Sequence, residues 1–195
     1  MRRRKMPRME VRITAAALLN AMEVRITVAG PQHAKDMEWL KFGNLMFRGV
    51  TGELPMSDDE FESTEVTEES IAELAVVLAA SNESDYYLVA DYNERIVGFC
   101  RMTWRPESAQ FQLRQFYVEI ELRGRGIGSQ IIRIALERTR QSPFAAKGVF
   151  LITGDYNTAA QARYVHWGFK IVGTGKTPLG ESDTEGQWLR MDLDF

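Results

Sequence analysis

Apolar residues alternate with polar ones at Val24, Ile26 and Val28, the two-residue period of a half-buried strand, and Gly30-Pro31 then break the pattern. From residue 32 to about 48 the spacing of Met37, Leu40, Met46 and Phe47 predicts an amphipathic helix. Thr67 opens a Thr-Glu-Glu-Ser run, an N-cap signal, ahead of Ile71, Leu74, Ala75 and Leu78 at helical spacing. Residues 86–92 and 96–104 read as strands joined at Asn93-Glu94, hence a hairpin. In 111–118 the apolar positions are Phe111 and Leu113, then Phe116 and Val118. That change of parity is what a one-residue β-bulge produces. Residues 126–139 form the next predicted helix, with Ile127, Ile131, Ile134 and Ala135 on one face. A short apolar strand at 149–153 follows, then a helix through Val165 with Asn157 placed to cap it. Strands at 169–172 and 188–193 end the chain. Strands alternating with helices in the second half, after hairpins in the first, imply a mixed α/β fold around a largely buried sheet.

The hexapeptide Met-Glu-Val-Arg-Ile-Thr occurs at 9–14 and again at 22–27, and only the second copy leads into these elements. Residues 1–21 are therefore expected to be an N-terminal extension outside the fold, and 22–195 the domain. The basic start followed by Ala15–Leu19 has the outline of a secretory leader. Its apolar stretch is short, ends in Asn20 and has Arg12 at its edge, so an extension is the reading adopted. Charge follows the same division. Residues 1–21 carry six Lys and Arg against Glu10 alone, which leaves a net −8 on the rest of a chain whose formal charge is −3. A body that acidic argues against nucleic acid as the partner. A single cysteine, Cys100, and two distant histidines, His33 and His166, leave no disulfide framework and no metal-ligand spacing. No run reaches the ~20 apolar residues of a membrane span. The expectation is a cytoplasmic protein without metal or membrane association, monomeric or homodimeric.

The chemistry is concentrated in Phe116-Tyr-Val-Glu-Ile-Glu-Leu-Arg-Gly-Arg-Gly-Ile-Gly-Ser129. A strand enters, Gly124, Gly126 and Gly128 occupy alternate positions, and a helix leaves. Glycines let a ligand approach the backbone amides, and the new helix offers unpaired N–H groups to an anion. Arg123 and Arg125 add charge-assisted donors suited to a pyrophosphate. The dinucleotide fingerprint fails because Ser129 stands where its third glycine belongs. Gly175-Lys176-Thr177 imitates the end of a P-loop, but Lys170 replaces the earlier glycine.

Arg123, Gly126 and Gly128 match Gln/Arg-x-x-Gly-x-Gly/Ala, and Asn157, Ala160, Tyr164, Gly168 and Phe169 fill Asn-x-x-Ala-x-x-x-Tyr-x-x-x-Gly-Phe after an apolar strand. On these two motifs the sequence resembles the GNAT N-acetyltransferase superfamily, from about Met22 to the end and most specifically over 116–169. The resemblance implies a mixed, mostly antiparallel central sheet of six to seven strands with helices on both faces. It also implies a bulged, splayed strand pair that holds acetyl-CoA, the co-substrate. Backbone groups at Tyr117 and Val118 would then bind the pantetheine, and amides from Arg123 through Gly124, Arg125, Gly126, Ile127, Gly128 and Ser129 the pyrophosphate. Asn157 would contact the cofactor arm. The amine acceptor, a small molecule or peptide, attacks the thioester directly, so Cys100 is expected in the core. Tyr164 is expected as general acid, while His166, two residues along the helix, faces elsewhere. Glu119 and Asp155, just past two strands, are the candidate bases, Glu119 first. The resemblance implies that the segment between the first two helices and the loop before the final strand border the acceptor. Eight carboxylates in 51–70, with Glu181, Asp183 and Glu185, therefore lead to the expectation of a cationic acceptor. The alternative class is a non-catalytic acyl-CoA-binding or sensor domain, which would not need Tyr164.

Overall fold

The computed structural model describes residues 24–50, 65–178 and 185–195. The first hexapeptide copy, the acidic residues Glu53, Asp58, Asp59, Glu60 and Glu62, and Glu181 and Asp183 lie outside the described residues. In chain order the elements are β1 (Arg25–Val28), α1 (Ala34–Val50), α2 (Glu68–Ala79), β2 (Asp85–Tyr92), β3 (Arg95–Arg105) and β4 (Gln110–Val118). They continue with α3 (Ile127–Arg140), β5 (Gly148–Gly154), α4 (Thr158–His166), β6 (Lys170–Pro178) and β7 (Glu185–Asp194). Short 3₁₀ turns at Pro31–His33 and Ile120–Leu122 precede α1 and follow β4. The strands form one seven-stranded sheet in the order β1-β2-β3-β4-β5-β7-β6, antiparallel except for the β4–β5 pair.

Local chemistry explains most of these boundaries. Thr67 caps α2 through a reciprocal pair of bonds with Ser70, and Glu68 and Glu69 in the first turn oppose the positive end of the helix dipole. Asn93 and Glu94 both adopt positive φ, 52° and 62°, the conformation a tight two-residue turn between twisted strands demands. The last two strands run longer than the apolar pattern predicts. They pair with each other from Lys170↔Asp192 to Pro178↔Glu185, and ladder hydrogen bonds carry them past the apolar residues.

Two cores flank the sheet. On one face α3 and α4 cover Leu88, Cys100, Met102, Phe111, Leu113, Val149 and Leu151, with Tyr164 and Trp167 packed at the margin. On the other, α1 and α2 cover Tyr87, Val89, Ile96 and Phe99, with Tyr117 at the margin. Cys100 lies in the first core, fully buried, and burial pushes its thiol up to about 12. It stays a protonated, inert packing group.

The parity change in β4 is a bulge. Met102 pairs with Leu113 but its neighbour Arg101 pairs with Gln115, so Arg114 has no partner on β3. Asp85 braces this step from β2. It accepts from Arg101 Nε and Nη2 at 2.9 and 2.6 Å and from Thr103 Oγ1 at 3.2 Å, thus holding β3 on both sides of the irregularity. The Arg101 hydrogen bonds hold the Asp85 carboxyl below its ordinary value of 3.8 against the opposing effect of burial. A carboxyl lowered in the folded state contributes stability above its unfolded pKa and loses it as pH falls through the folded one. Thermal unfolding followed from pH 6 to pH 2 should therefore show an acid limb below about pH 4 that Asp85→Asn flattens. The variant should be the less stable protein at pH 6 and approach the wild type at pH 2.

Candidate functional site

β4 and β5 pair at only three positions, Phe111↔Val149, Gln112↔Phe150 and Leu113↔Leu151. β4 runs on to Val118 and β5 to Gly154, so beyond the bulge at Arg114 the two strands have parted. Parallel strands that separate in mid-sheet leave backbone groups on both rims without ladder partners, a costly state unless something else binds them. On the β4 rim the register decides which groups these are. Glu119 N–H donates to Val97 C=O at 2.9 Å, and Val118 stands opposite Gly98. Alternation along an antiparallel pair then turns the backbone groups of Phe116 and Val118 into the gap. Those of Tyr117 turn toward β3. Of the two residues expected to offer backbone groups, Val118 faces the gap and Tyr117 does not. The Tyr117 ring instead stacks on Phe99, with centroids 5.0 Å apart.

The glycine turn opens beside this gap. Arg123 N–H goes to Ile120 C=O at 3.2 Å and Gln130 N–H to Gly126 C=O at 3.0 Å. Between them, no backbone carbonyl among the described residues accepts from the six amides of Gly124, Arg125, Gly126, Ile127, Gly128 and Ser129. Gly126 is the N-cap of α3 in the left-handed region, φ 83°, and supplies no capping side chain. Gly128 lies close to the rim: a Cβ there would stand 3.4 Å from the Phe116 ring and 3.5 Å from Trp167, in ordinary van der Waals contact with both. Arg125 and Ser129 are exposed at this turn. The Arg123 guanidinium turns back, donating from Nε to Val118 C=O at 3.2 Å and from Nη2 to Asn44 Oδ1 on α1.

α4 brings the second motif to the same place. Tyr164 packs edge-on against Trp167 and Phe169 at 5.9 and 6.0 Å, and Trp167 lies 5.3 Å from Phe116 on the gap rim. Trp167 Nε1 also donates to Ser129 Oγ at 3.2 Å, fastening α4 to the start of α3. Asn157 occupies the N-cap position of α4 as expected, but at ψ 56° its side chain takes no helix amide. Gln161 instead secures the end of β5, donating from Nε2 to the carbonyls of Gly154 and Asp155. Asp155 and His166 are both exposed.

Glu119 lies on the other face of the sheet. With Asp36, Trp39, Arg95, Ile120 and Glu121 it lines a cavity of about 350 Å³ between α1 and the end of β4. Arg95 Nη2 donates to both Glu119 oxygens, at 2.9 and 2.6 Å, whereas Asp36 and Glu121 make no ion pair among the described residues. Tyr164 and Glu119 thus stand on opposite faces of the sheet, one on each side of the β4 rim. Trp167, Arg95 and Asn44 have no mark in the sequence patterns; only the fold brings them to the site.

The comparisons with known proteins agree with this geometry. The acetyltransferase (GNAT) family model matches residues 53–169. No curated protein sequence matches the chain. Among solved structures, the PaiA N-acetyltransferase of Thermoplasma acidophilum in complex with coenzyme A aligns with a TM-score of 0.71 at 15% identity, over 89% of this chain and 100% of that one. A GNAT-family acetyltransferase from Streptococcus pneumoniae aligns at 0.62 and 20% identity, over 89% and 100%. The ribosomal-protein-alanine N-acetyltransferase of Brucella melitensis aligns at 0.66 and 19%, over 88% and 99%. At these identities the likeness is one of fold. With its three-position β4–β5 pairing, its glycine turn and its tyrosine-bearing helix, and with a family match over more than half its length, the chain belongs to the acetyltransferase (GNAT) family.

Proposed function

We propose that the protein is an N-acetyltransferase that moves an acetyl group from acetyl-CoA to a primary, cationic amine. The observation that carries the reading is the run of six unclaimed amides from Gly124 to Ser129 beside the parted strands. A pyrophosphate suits that run: the donors are successive, the helix dipole adds positive potential, and Gly126 leaves the approach open. Val118 N–H would hydrogen-bond an extended arm lying in the gap, replacing the ladder bond that β5 does not make. Asn157, whose side chain caps no helix, follows the end of β5 and would contact the same arm.

When bound, acetyl-CoA supplies an acetyl group activated as a thioester. The chain's own residues then manage two protons. On the α1 face Glu119 takes a proton from the acceptor ammonium once the amine displaces Arg95 from the carboxylate, freeing the nitrogen lone pair to attack the carbonyl carbon. On the α3–α4 face Tyr164 Oη would give a proton to the departing sulfur as the C–S bond breaks. The second proton, shed by the acetylated nitrogen, would return through solvent to the phenolate, leaving a neutral amide, a thiol and a neutral Tyr164. The charge of the cavity favours a cationic acceptor, because Asp36, Glu119 and Glu121 face one arginine and the exposed Trp39 ring offers a surface for a cation.

Coenzyme A should raise the melting temperature of the wild type by linkage, and Gly126→Val, which places a β-branched side chain at a left-handed position over the amides, should abolish the shift. An equal shift in the folded variant would put the cofactor elsewhere. Free-thiol release from acetyl-CoA, screened across cationic, neutral and anionic amines, should single out a cationic one. With that acceptor Tyr164→Phe should lower kcat by up to ~10²–10⁴-fold while leaving coenzyme A affinity nearly unchanged. Wild-type turnover in the variant would reduce Tyr164 to packing.

A further inference from the structure

Asn44 is a polar side chain buried to 3% exposure in the middle of α1, where such a group is costly unless its hydrogen bonds are made. Both ends are committed. Nδ2 donates to Leu40 C=O one turn back at 2.8 Å, which fixes the carboxamide and aims Oδ1 away from its own helix. Oδ1 accepts from Arg123 Nη2, 79 residues along the chain. The same guanidinium donates from Nε to Val118 C=O, a carbonyl that faces the gap and has no strand partner. The Arg123 amide is also engaged, with Ile120 C=O. One side chain thus spans the rim of the gap, the entry to the glycine turn and the helix that walls the cavity.

We propose that Asn44 is a positioning residue for the cofactor turn. It holds the Arg123 guanidinium as a strut between α1 and Val118, rather than leaving it as a phosphate ligand. The inference rests on the cofactor reading above. The strut fixes the β4 rim where the strand has lost its neighbour, and it sets the entry to the six open amides. It leaves Arg125, exposed on the same turn, as the guanidinium free to meet phosphate charge. Because α1 also carries Asp36 and Trp39 on the cavity wall, the contact joins the acceptor side to the cofactor side. By linkage, any occupant that moves α1 alters coenzyme A affinity and is altered by it equally.

Calorimetric titration of coenzyme A into the full chain tests this, with wild type, Asn44→Ala, Arg123→Ala and the double variant compared at two salt concentrations. If the two residues act as one strut, each single substitution weakens binding about tenfold, the scale of one hydrogen bond to a charged group. The double variant then binds about as well as either single one, and the dependence on salt is unchanged in all of them. Additive losses would overturn the proposal. So would an Asn44→Ala protein that binds like wild type while Arg123→Ala flattens the salt dependence, the mark of a direct phosphate contact. If Asn44→Ala does not fold, Arg123→Lys decides the same question. It keeps the charge but loses the fork, so binding about tenfold weaker supports the strut and wild-type binding contradicts it. A wild type that binds no coenzyme A removes the cofactor reading and the strut with it, whereas wild-type binding with indifferent variants removes the strut alone.

Discussion

The structure turns on the separation of two parallel strands after three paired residues. A sheet gains its stability from ladder hydrogen bonds, so a gap in mid-sheet must be imposed by something stronger than the bonds forgone. Here it is imposed from both sides. The bulge at Arg114 shifts the β4 ladder by one residue and bends the strand, while Asp85 braces β3 across the same step. On the far side, β7 pairs with β5 from Gly148 to Gly154 and holds it in its own plane. Between these supports the rim of β4 presents Phe116 and Val118 to open space. The aromatic contact between Phe116 and Trp167 and the guanidinium on Val118 C=O keep that rim in place.

Every part of the site follows from where this gap falls. The glycine turn is the continuation of the parted strand, so its six open amides lie at one end of the gap. α4 follows β5, so its tyrosine stands with Trp167 and Phe169 on the α3 face of the sheet. Alternation along β4 sends Glu119 to the other face, where α1 closes a cavity over it. On the proposed reading, phosphate recognition, proton donation and amine entry would sit around a single rim, approached from separate directions. Cys100, buried three strands from β7 with its thiol held protonated, has no place in this arrangement.

The elements that were legible in the sequence are those whose cause is local. The parity change at Leu113–Phe116 announced the bulge because a strand's side chains must alternate. Thr67 and the Asn93-Glu94 turn were readable because capping and tight-turn chemistry belong to a few neighbouring residues. What sequence could not supply is how long-range pairing spends each group. Tyr117 was expected to offer its backbone to the gap, yet the β3 register turns that backbone away. Arg123 carries the family motif, but its guanidinium is claimed by Asn44, 79 residues earlier. Asn157 occupies the capping position without capping, because its backbone angle withdraws the side chain from the helix amides. The pairing of Arg95 with Glu119 crosses from the β2–β3 hairpin to the end of β4, which no local pattern announces.

Hydrogen exchange of the full chain, with and without coenzyme A, reads the central claim at the residues that carry it. If the gap and the turn are the cofactor site, saturating coenzyme A slows exchange in peptides covering 124–129 and 116–119 and leaves the hairpin at 93–94 unchanged. Protection confined to the cavity beside α1, or spread evenly over the sheet with none at the glycine turn, would contradict the account.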